Sequence, residues 1–349
     1  MKNWIRKVLA LLVIPGLLGA GCGALGEEET AEVVPALELP AEENGEFAIL
    51  TEAEDPMIGP HEAGYLFAEG AKSPYGYADP SITVNIGTGR IYKTNYMYAR
   101  VKIASPLQIR TLTAAETLTK KNTVMGHSLA KRVKAVVAIN GVLEADVTSE
   151  SDWATVDGPV LLQGDWRRPS EKTSEAKVEK WKAEEALDTL VIDEKGNLQV
   201  IREATWGDTY EKILALEDRA VNVITFGPAL MLDGAPQYGY DNRQMSSNRP
   251  AQRMALCQTG PLEYLLITSE GPDDPGSSGL KLDQFVELIA TVFPEVQTAY
   301  NLDGGSSSTL VFRKGSENWA KVNCPKSGKK RQLRDIIYFA DAWIPAGGE

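Results

Sequence analysis

A polar motif near the C-terminal end of the chain combines several residue types that could do chemistry. It reads NLDGGSSSTLVF and follows an apolar run, so Asp303 should lie at the end of a buried strand. Gly304 and Gly305 permit positive φ and a close approach of a ligand to the backbone. The motif predicts an anion-binding nest of backbone amides from Gly305 to Ser307, with hydroxyl donors from Ser307 and Thr309. The alternative is a tight strand connection with an Asx-turn at Asp303.

Two other polar positions also border apolar runs. Asn140 and Gly141 follow the run VKAVVAI, and Arg253 comes just before MALC. Arginine offers planar, bidentate recognition of a phosphate, and asparagine offers neutral donors. The alternatives remain open, because an asparagine at a strand end often forms a turn and a single arginine often forms a surface ion pair.

The composition excludes several kinds of catalysis. The chain has two histidines and three cysteines, too few for a zinc site with several imidazoles and without a paired thiolate spacing. A Ser-His-Asp hydrolase would depend on His127, and the motif lacks the G-x-S-x-G elbow. No G-x-x-x-x-G-K-[ST] sequence is present, so a nucleotide triphosphate cradle is unsupported. Any catalysis would therefore use carboxylates, arginine, asparagine and backbone amides.

A metal site has only weak candidates. Asp273 and Asp274 in EGPDDPGSSG could bind Ca²⁺, whereas the alternative is a solvated acidic loop. No cofactor is expected to be required.

The first 22 residues have the pattern of an export signal. Lys2, Arg6 and Lys7 precede the apolar segment VLALLVIPGLL, and small residues then precede Cys22. This arrangement resembles a bacterial lipoprotein signal in which Cys22 is lipidated, which predicts a membrane-anchored protein on the extracytoplasmic side. The alternatives are a signal cleaved nearby without lipid and an uncleaved anchor.

The next segment, residues 23–64, is acidic and lacks Lys and Arg as far as Pro60. Such a segment has too little apolar surface to offset its ordering entropy, which predicts a disordered tether. The alternative is a loosely packed N-terminal arm. The whole chain has a formal net charge of −12, so nucleic acid is an unsuitable partner.

Strand-like segments outnumber helical ones over residues 65–349, which we expect to form the folded domain. Residues 81–103 alternate and predict two strands joined through Gly87 to Gly89, and the run ending at Asn140 predicts a buried central strand. Residues 166–188 predict a partly helical surface excursion, and the apolar stripe from Leu282 to Val292 predicts a helix packed on a sheet. The pattern predicts an α+β (mixed α/β) domain with a single large mixed sheet and packed helices.

The cysteines apart from Cys22 leave one question open. Cys257 and Cys324 could form a disulfide in an oxidising, exported setting. The alternative is two separate buried thiols.

Taken together, six segments of the chain resemble the phosphodiester glycosidase family, in family order and at compatible spacings. They are AVVAING, TFGPALMLDG, QRMALCQTGPLEYLLITSEG, GLKLDQFVELIATVF, AYNLDGGSSSTLVF and RQLRDIIYF, and they cover most of residues 80–344. The resemblance implies a hydrolase that cleaves a sugar from a sugar-1-phosphodiester, here an exported enzyme acting on a cell-envelope or extracellular glycan. Its implied partner is a carbohydrate or glycosyl-phosphate substrate.

The resemblance also implies roles for individual residues. Asp303 would orient water as a base or stabilise a cationic sugar, and Glu270 is the second carboxylate candidate, ahead of Glu144. Asn140 would bind sugar hydroxyls or a phosphate oxygen. The catalytic candidates are Asp303, Arg253, Asn140 and Glu270. The substrate- or phosphate-binding candidates are Gly141, Gly304, Gly305, Ser306, Ser307, Thr309 and Arg331.

The chain departs from the family pattern around the same positions. Residues 142–143 and 254–257 differ from the usual family residues, and Glu270 stands where the family usually has aspartate. Ser306 replaces a glycine, and its Cβ would narrow the cradle if the position required positive φ. These departures leave an alternative function, a catalytically silent glycan-binding surface lipoprotein of the same fold.

Overall fold

The fold consists mainly of β-strands. The computed structural model describes residues 37–42, 44–51, 54–56, 58–114, 123–141, 158–169, 173–240, 247–313, 318–323 and 331–346. In chain order the first strands are β1 (Gly45–Phe47), β2 (Tyr65–Leu66), β3 (Gly76–Ala78), β4 (Ile82–Ile91), β5 (Thr94–Ile103), β6 (Ile109–Thr113), β7 (Val124–Met125), β8 (Val137–Asn140), β9 (Val160–Leu162), β10 (Asp165–Arg168), β11 (Thr189–Asp193) and β12 (Leu198–Ile201). The later strands are β13 (Ala220–Thr225), β14 (Ala229–Leu232), β15 (Ala235–Pro236), β16 (Met254–Gly260), β17 (Glu263–Ser269), β18 (Thr298–Leu302), β19 (Leu310–Arg313), β20 (Trp319–Lys321), β21 (Gln332–Leu333), β22 (Asp335–Phe339) and β23 (Trp343–Pro345). The α-helices of the described residues are α1 (Gly126–Arg132), α2 (Glu175–Lys182), α3 (Trp206–Leu214) and α4 (Leu282–Val292).

The strands form three main sheets, so the prediction of a single large sheet is wrong. Sheet 1 has nine strands in the order β15-β14-β18-β16-β17-β5-β4-β3-β2. Sheet 2 has the order β20-β19-β8-β22-β6, and sheet 3 has the order β10-β9-β13-β11-β12. Two short pairs, β1-β23 and β21-β7, complete the pattern. A long twisted sheet covers its apolar faces by packing against other sheets. How the strands are divided among the sheets depends on contacts between residues that are distant in sequence.

The main core lies between the three sheets, and each sheet contributes one face to it. Alternation within a strand separates its two faces: Met254 and Leu256 of β16 join the shared core, whereas Ala255 and Cys257 face the cluster under α4. The apolar stripe of α4 is buried as the sequence predicts, and the fully buried Phe285 shows its orientation. Each such side chain contributes about 2 kcal/mol on burial.

The β4-β5 hairpin turns later than the sequence predicts. The turn residues are Tyr92 and Lys93, both with positive φ, and the strand continues through Gly87 and Gly89. A Cβ at Gly87 would lie 2.2 Å from the ring of its cross-strand partner Tyr98. The glycines therefore provide room for aromatic rings rather than a turn.

Residues 166–188 lie mostly at the surface, as the sequence predicts, but two of the described residues, Arg168 and Trp181, are buried. They include β10 and α2, and Trp181 of α2 is fully buried. Its ring stacks on Trp206 of α3 with centroids 6.3 Å apart. The helical part of the prediction is confirmed, but one large aromatic side chain anchors the helix to the domain.

The described part of the predicted tether contacts the domain. Lys102 donates to the Leu37 carbonyl at 3.0 Å, and β1 pairs with β23. The buried Arg110 donates to the carbonyl oxygens of Thr51 and Glu54 at 2.8 and 2.6 Å. From residue 37 onwards the described residues therefore form an ordered arm. Hydrogen bonds to its backbone carbonyls hold the arm on the domain in place of apolar packing.

Several sequence predictions fall outside the described residues. They are the signal segment 1–22 with Cys22, residues 23–36 of the tether, positions 142–143, Glu144, and the pairing of Cys257 with Cys324. Within the described ranges, no helix is both long enough and apolar enough to cross a membrane.

Candidate active site

The candidate residues gather where sheets 1 and 2 end side by side. In sheet 1, Leu302 at the end of β18 pairs with Met254 at the start of β16, so Asp303 lies beside Arg253. In sheet 2, β8 ends at Asn140, next to the start of β19. Residues 303–309, which we call the acidic loop, join β18 to β19 and thereby connect the two sheets.

The backbone of the acidic loop is held tightly against sheet 1. A Cβ at Gly304 would lie 2.5 Å from the Gln252 carbonyl oxygen, and the Gly305 amide donates to that oxygen at 2.9 Å. The Ser307 amide donates to the Gly304 carbonyl at 3.1 Å. Two of the three amides expected to form an anion-binding nest, those of Gly305 and Ser307, therefore already have protein acceptors.

Ser306 does not distort the loop. The positive φ of the loop, 55°, belongs to Gly305, whereas Ser306 lies in a short 3₁₀ turn without a positive φ. Its side chain is exposed, but those of Ser307 and Thr309 are buried. The expected narrowing at Ser306 is therefore absent, since its Cβ occupies an ordinary backbone conformation.

Asn140 binds the acidic loop with its whole side-chain amide. Its Nδ2 donates to the Asp303 carbonyl at 2.8 Å and to the Gly141 carbonyl at 3.0 Å. Its Oδ1 accepts from the Thr309 amide at 2.9 Å. Both Nδ2 hydrogens are used and the side chain is only 1% exposed, so this arrangement holds backbone rather than sugar hydroxyls.

Gly141 is required by packing. Its amide donates to the Asp335 carbonyl at 3.1 Å, and a Cβ at this position would lie 1.8 Å from Asp335 Oδ2. Any larger residue would displace the carboxylate of Asp335, which is buried at the start of β22. The Asn-Gly pair thus joins β8 closely to both neighbouring segments of sheet 2.

Arg253 is buried and also binds backbone carbonyls. Its Nε donates to the Leu280 carbonyl at 3.0 Å, and one terminal nitrogen donates to the Arg249 carbonyl at 2.7 Å. Burial lowers the pKa of the guanidinium to about 10, which leaves it charged at neutral pH. These contacts connect the segment before β16 with the segment before α4.

Glu270 lies at the same end of sheet 1 but at a distance from Asp303. Its Oε2 accepts from Asn95 Nδ2 at 2.8 Å and from Ser277 Oγ at 2.5 Å. Strand β16 separates β17 from β18, so the two backbones are about 10 Å apart. Glu270 therefore stabilises the junction with β5, and Asp303 is the carboxylate of the acidic loop.

Asp274, one of the two calcium candidates, has a structural role. Its Oδ2 accepts from Gln252 Nε2 at 2.6 Å and from the Gly271 amide at 2.9 Å. Asp273 is exposed. Within the described ranges, no three His, Cys, Asp or Glu side chains are grouped as metal ligands would be. The calcium site stays a prediction.

A small basic cavity lies next to the end of the acidic loop. A Cβ at Gly126 would lie 3.1 Å from Thr309 Cγ2, so this glycine lets α1 approach the loop closely. The cavity measures about 10 Å³, which is room for one water-sized oxygen. Its lining residues are Met125, Gly126, His127, Thr309, Lys321 and Arg331.

The cavity brings together predicted and unpredicted residues. The sequence predicts a phosphate contact for Thr309 and Arg331, whereas it indicates His127 only for a Ser-His-Asp site and does not indicate Lys321. These two residues come from α1 and β20, short elements without a recognisable motif. A basic side chain near the end of a three-residue strand gives no signal in the sequence that separates it from a surface lysine.

Comparison with known proteins identifies the family that this architecture represents. The family model for phosphodiester glycosidases matches residues 133–340, which is more than half of the chain. The chain therefore belongs to the phosphodiester glycosidase family, as the motifs predict. A search of curated proteins gives no match.

Solved structures show similar folds at low sequence identity. The catalytic domain of zebrafish N-acetylglucosamine-1-phosphodiester α-N-acetylglucosaminidase, auto-inhibited by its pro-peptide, has a TM-score of 0.53 and 18% identity, over 75% of this chain and 84% of that chain. A protein from Synechocystis has a TM-score of 0.46 and 14% identity, over 74% and 62% of the two chains. A protein from Burkholderia pseudomallei has a TM-score of 0.42 and 12% identity, over 71% and 74%. The zebrafish comparison supports the fold.

Proposed function

We propose that this protein is an exported phosphodiester glycosidase that releases a sugar from a sugar-1-phosphodiester in a cell-envelope or extracellular glycan. The observation that carries the proposal is the basic cavity beside the acidic loop. It combines His127, Lys321 and Arg331 with Thr309, which lies six residues along the chain from Asp303. Basic side chains at one end of the acidic loop and a carboxylate at the other match the two charges that develop when a glycosyl phosphate bond breaks.

The basic cavity would bind the phosphate. It has room for one oxygen, so one phosphate oxygen would enter while the phosphorus stays at the mouth. Lys321 and Arg331 would compensate the charge that the phosphate gains as the bond to the sugar breaks. A phosphate monoester is a good leaving group, so this site needs electrostatic stabilisation more than a strong general acid.

Asp303 would act on the sugar side. In the reaction, water adds to the anomeric carbon and the bond from that carbon to the phosphate oxygen breaks, with the electron pair leaving on the phosphate. Asp303 would accept the proton of the attacking water, or would stabilise the cationic sugar ring. The tight contacts of Gly304 and Gly305 with Gln252 fix where this carboxylate leaves the backbone.

The function is tested by measuring sugar release from UDP-sugars, sugar-1-phosphodiesters and teichoic-acid-like polymers. We expect Asp303→Asn to lower kcat/KM by about 100-fold or more. Lys321→Gln should raise KM about 10-fold, because it removes one charge from the phosphate side. The matched control is Lys212→Gln, which removes a lysine that pairs with Glu203 away from the site and should change neither constant.

Two outcomes would contradict this assignment. Equal release by the wild type and Asp303→Asn would exclude Asp303 from the mechanism. Release of no sugar across the panel would favour the alternative of a catalytically silent glycan-binding lipoprotein. The specific observation in favour of that alternative is that Gly305, Ser307 and Asn140 already have protein partners, so they provide little help to a transition state. A binder would still bind sugar phosphates in calorimetry.

We also propose that the protein is anchored to a membrane through a lipid on Cys22. The signal-like segment 1–22 supports this proposal. Cys22→Ser should move the protein from the membrane fraction to the soluble fraction, and a protein that stays in the membrane fraction would contradict lipid anchoring.

A further inference from the structure

Two buried asparagines hold the acidic loop from opposite sides. Asn140, at the end of β8, connects the two ends of the loop by donating to the Asp303 carbonyl and accepting from the Thr309 amide. Asn323 follows β20 and holds the exit of the loop. Its Oδ1 accepts from the Leu310 amide at 2.6 Å, and its Nδ2 donates to the Ser308 carbonyl at 3.0 Å.

Both asparagines are almost completely buried, at 1% and 2% exposure. A buried backbone group that loses its partner is costly, so the two amides restrict the loop strongly. The groups that they bind alternate along the chain, from the Ser308 carbonyl to the Thr309 and Leu310 amides. Thr309, which lines the basic cavity, is therefore fixed between the two asparagines.

We propose that Asn140 and Asn323 are positioning residues that set the relative placement of Asp303 and Thr309. This inference rests on the proposed function and assigns Asn140 a different role from sugar binding. Asn140 acts directly on the backbone of Asp303 and so controls the carboxylate. Asn323 acts on the residues either side of Thr309 and so controls the phosphate side.

The two positions should therefore affect different kinetic constants. Asn140→Asp keeps the acceptor for the Thr309 amide but places an oxygen against the Asp303 carbonyl. We expect kcat to fall between about 10-fold and 100-fold, since a displacement of about 1 Å has effects of that size. The new carboxylate should also move the acid limb of the kcat/KM profile to higher pH, because a nearby like charge disfavours ionisation of Asp303.

At the other asparagine, Asn323→Asp keeps the acceptor for the Leu310 amide and loses the donor to the Ser308 carbonyl. We expect it to raise KM about 10-fold, with a smaller effect on kcat. The matched control is Asn222→Asp in sheet 3, where a fully buried asparagine accepts from Thr111 and Gln163. This control introduces the same chemical change far from the acidic loop and should leave both constants unchanged.

A second measurement does not depend on turnover. Hydrogen exchange of peptides covering residues 303–312 should accelerate at least 10-fold in Asn140→Asp and Asn323→Asp, and should stay unchanged in Asn222→Asp. Asn140→Ser provides a smaller substitution if Asn140→Asp does not fold. If exchange of this segment is the same in the wild type and in the variants at Asn140 and Asn323, the inference is overturned.

The two proposals fail in different ways. A wild type that releases no sugar would contradict the proposed function, while exchange would still decide whether the asparagines hold the loop. An active wild type whose kcat, KM and pH profile are unchanged by Asn140→Asp and Asn323→Asp would retain the proposed function and overturn the positioning role.

Discussion

Asp341→Asn should flatten the pH dependence of stability, because Asp341 belongs to a buried acidic pair that retains a proton. The Tyr77 hydroxyl oxygen lies 2.6 Å from Asp79 Oδ2 and 2.8 Å from Asp341 Oδ2. The Ser81 hydroxyl oxygen lies 2.8 Å from Asp79 Oδ1 and 3.1 Å from Asp341 Oδ1. Two hydroxyl hydrogens must serve four oxygen–oxygen contacts, so a third hydrogen on the carboxyl pair is favourable.

Burial, together with the charge of Asp79, raises the pKa of Asp341 to about 8. The nearest cationic candidate is His61, whose Nε2 lies 3.9 Å from Asp341 Oδ2 and 2.6 Å from the Trp343 carbonyl oxygen. Tyr65 packs on the ring of Tyr77 without supplying positive charge. The surroundings therefore favour the protonated form of the pair.

The sign of the effect follows from linkage. Because the folded pKa of Asp341 lies above the unfolded value of 3.8, its contribution to stability is complete below about pH 3.8 and is lost as pH rises towards about 8. A group that retains one proton on folding changes the unfolding free energy by about 1.4 kcal/mol per pH unit. Between pH 5 and pH 7 the wild type should therefore lose roughly 3 kcal/mol through Asp341 alone.

The assay is urea unfolding at pH 5, 6, 7 and 8. Asp341→Asn should gain stability relative to the wild type by about 1.4 kcal/mol per pH unit between pH 5 and pH 7, and by less towards pH 8, since its amide needs no proton uptake. The matched control is Asp193→Asn, because the buried Asp193 accepts only from nitrogen donors, namely the amides of Lys195 and Asn197 and two side-chain amides. It should lose stability at every pH. Parallel pH curves for the wild type and Asp341→Asn would refute the retained proton.

Three other substitutions test the structural roles assigned above. Arg253→Met should lower the free energy of unfolding by about 2 to 4 kcal/mol in urea, because it removes the hydrogen bonds of the buried guanidinium to the Leu280 and Arg249 carbonyls, and a loss below 1 kcal/mol would contradict that role. Gly304→Ala should lower kcat/KM and stability together, because its Cβ meets the Gln252 carbonyl. Ser306→Gly should change kcat/KM less than 3-fold. Equal effects of the two substitutions in the same assays would show that the acidic loop is not restricted at Gly304. Trp181→Ala should cost about 3 to 5 kcal/mol in thermal unfolding, and a change in Tm below 2 °C would place α2 outside the cooperative unit.

Local pattern was enough to predict individual elements. The apolar stripe of α4 and the four buried residues of β8 are confirmed, because each element buries one continuous set of side chains. The β11-β12 hairpin is equally local, with Gly196 at positive φ in its turn. In each case the information lies within about a dozen neighbouring residues.

The arrangement of these elements could not be read in the same way. Strands β8 and β16 are both short apolar runs, yet one lies in sheet 2 and the other in sheet 1. Which strands pair is decided by contacts between residues more than a hundred positions apart, such as the pairing of β8 with β19. The turn predicted through Gly87 to Gly89 is wrong for a related reason, since the tyrosine rings that occupy the space beside these glycines lie on the opposite strand.

The same distinction explains what motifs reveal about the site. Asn140, Gly141, Gly304 and Arg253 stand out because the backbone packs closely around them or uses their side chains as donors, and such constraints need particular residue types. Under the proposed function the basic cavity imposes a weaker requirement on residue type, because any cation of suitable length could approach a phosphate oxygen. Lys321 therefore gives no recognisable sequence pattern, although under the proposed function it would contact the phosphate. Substrate preference should accordingly change more readily through substitutions at the cavity than through substitutions in the motif.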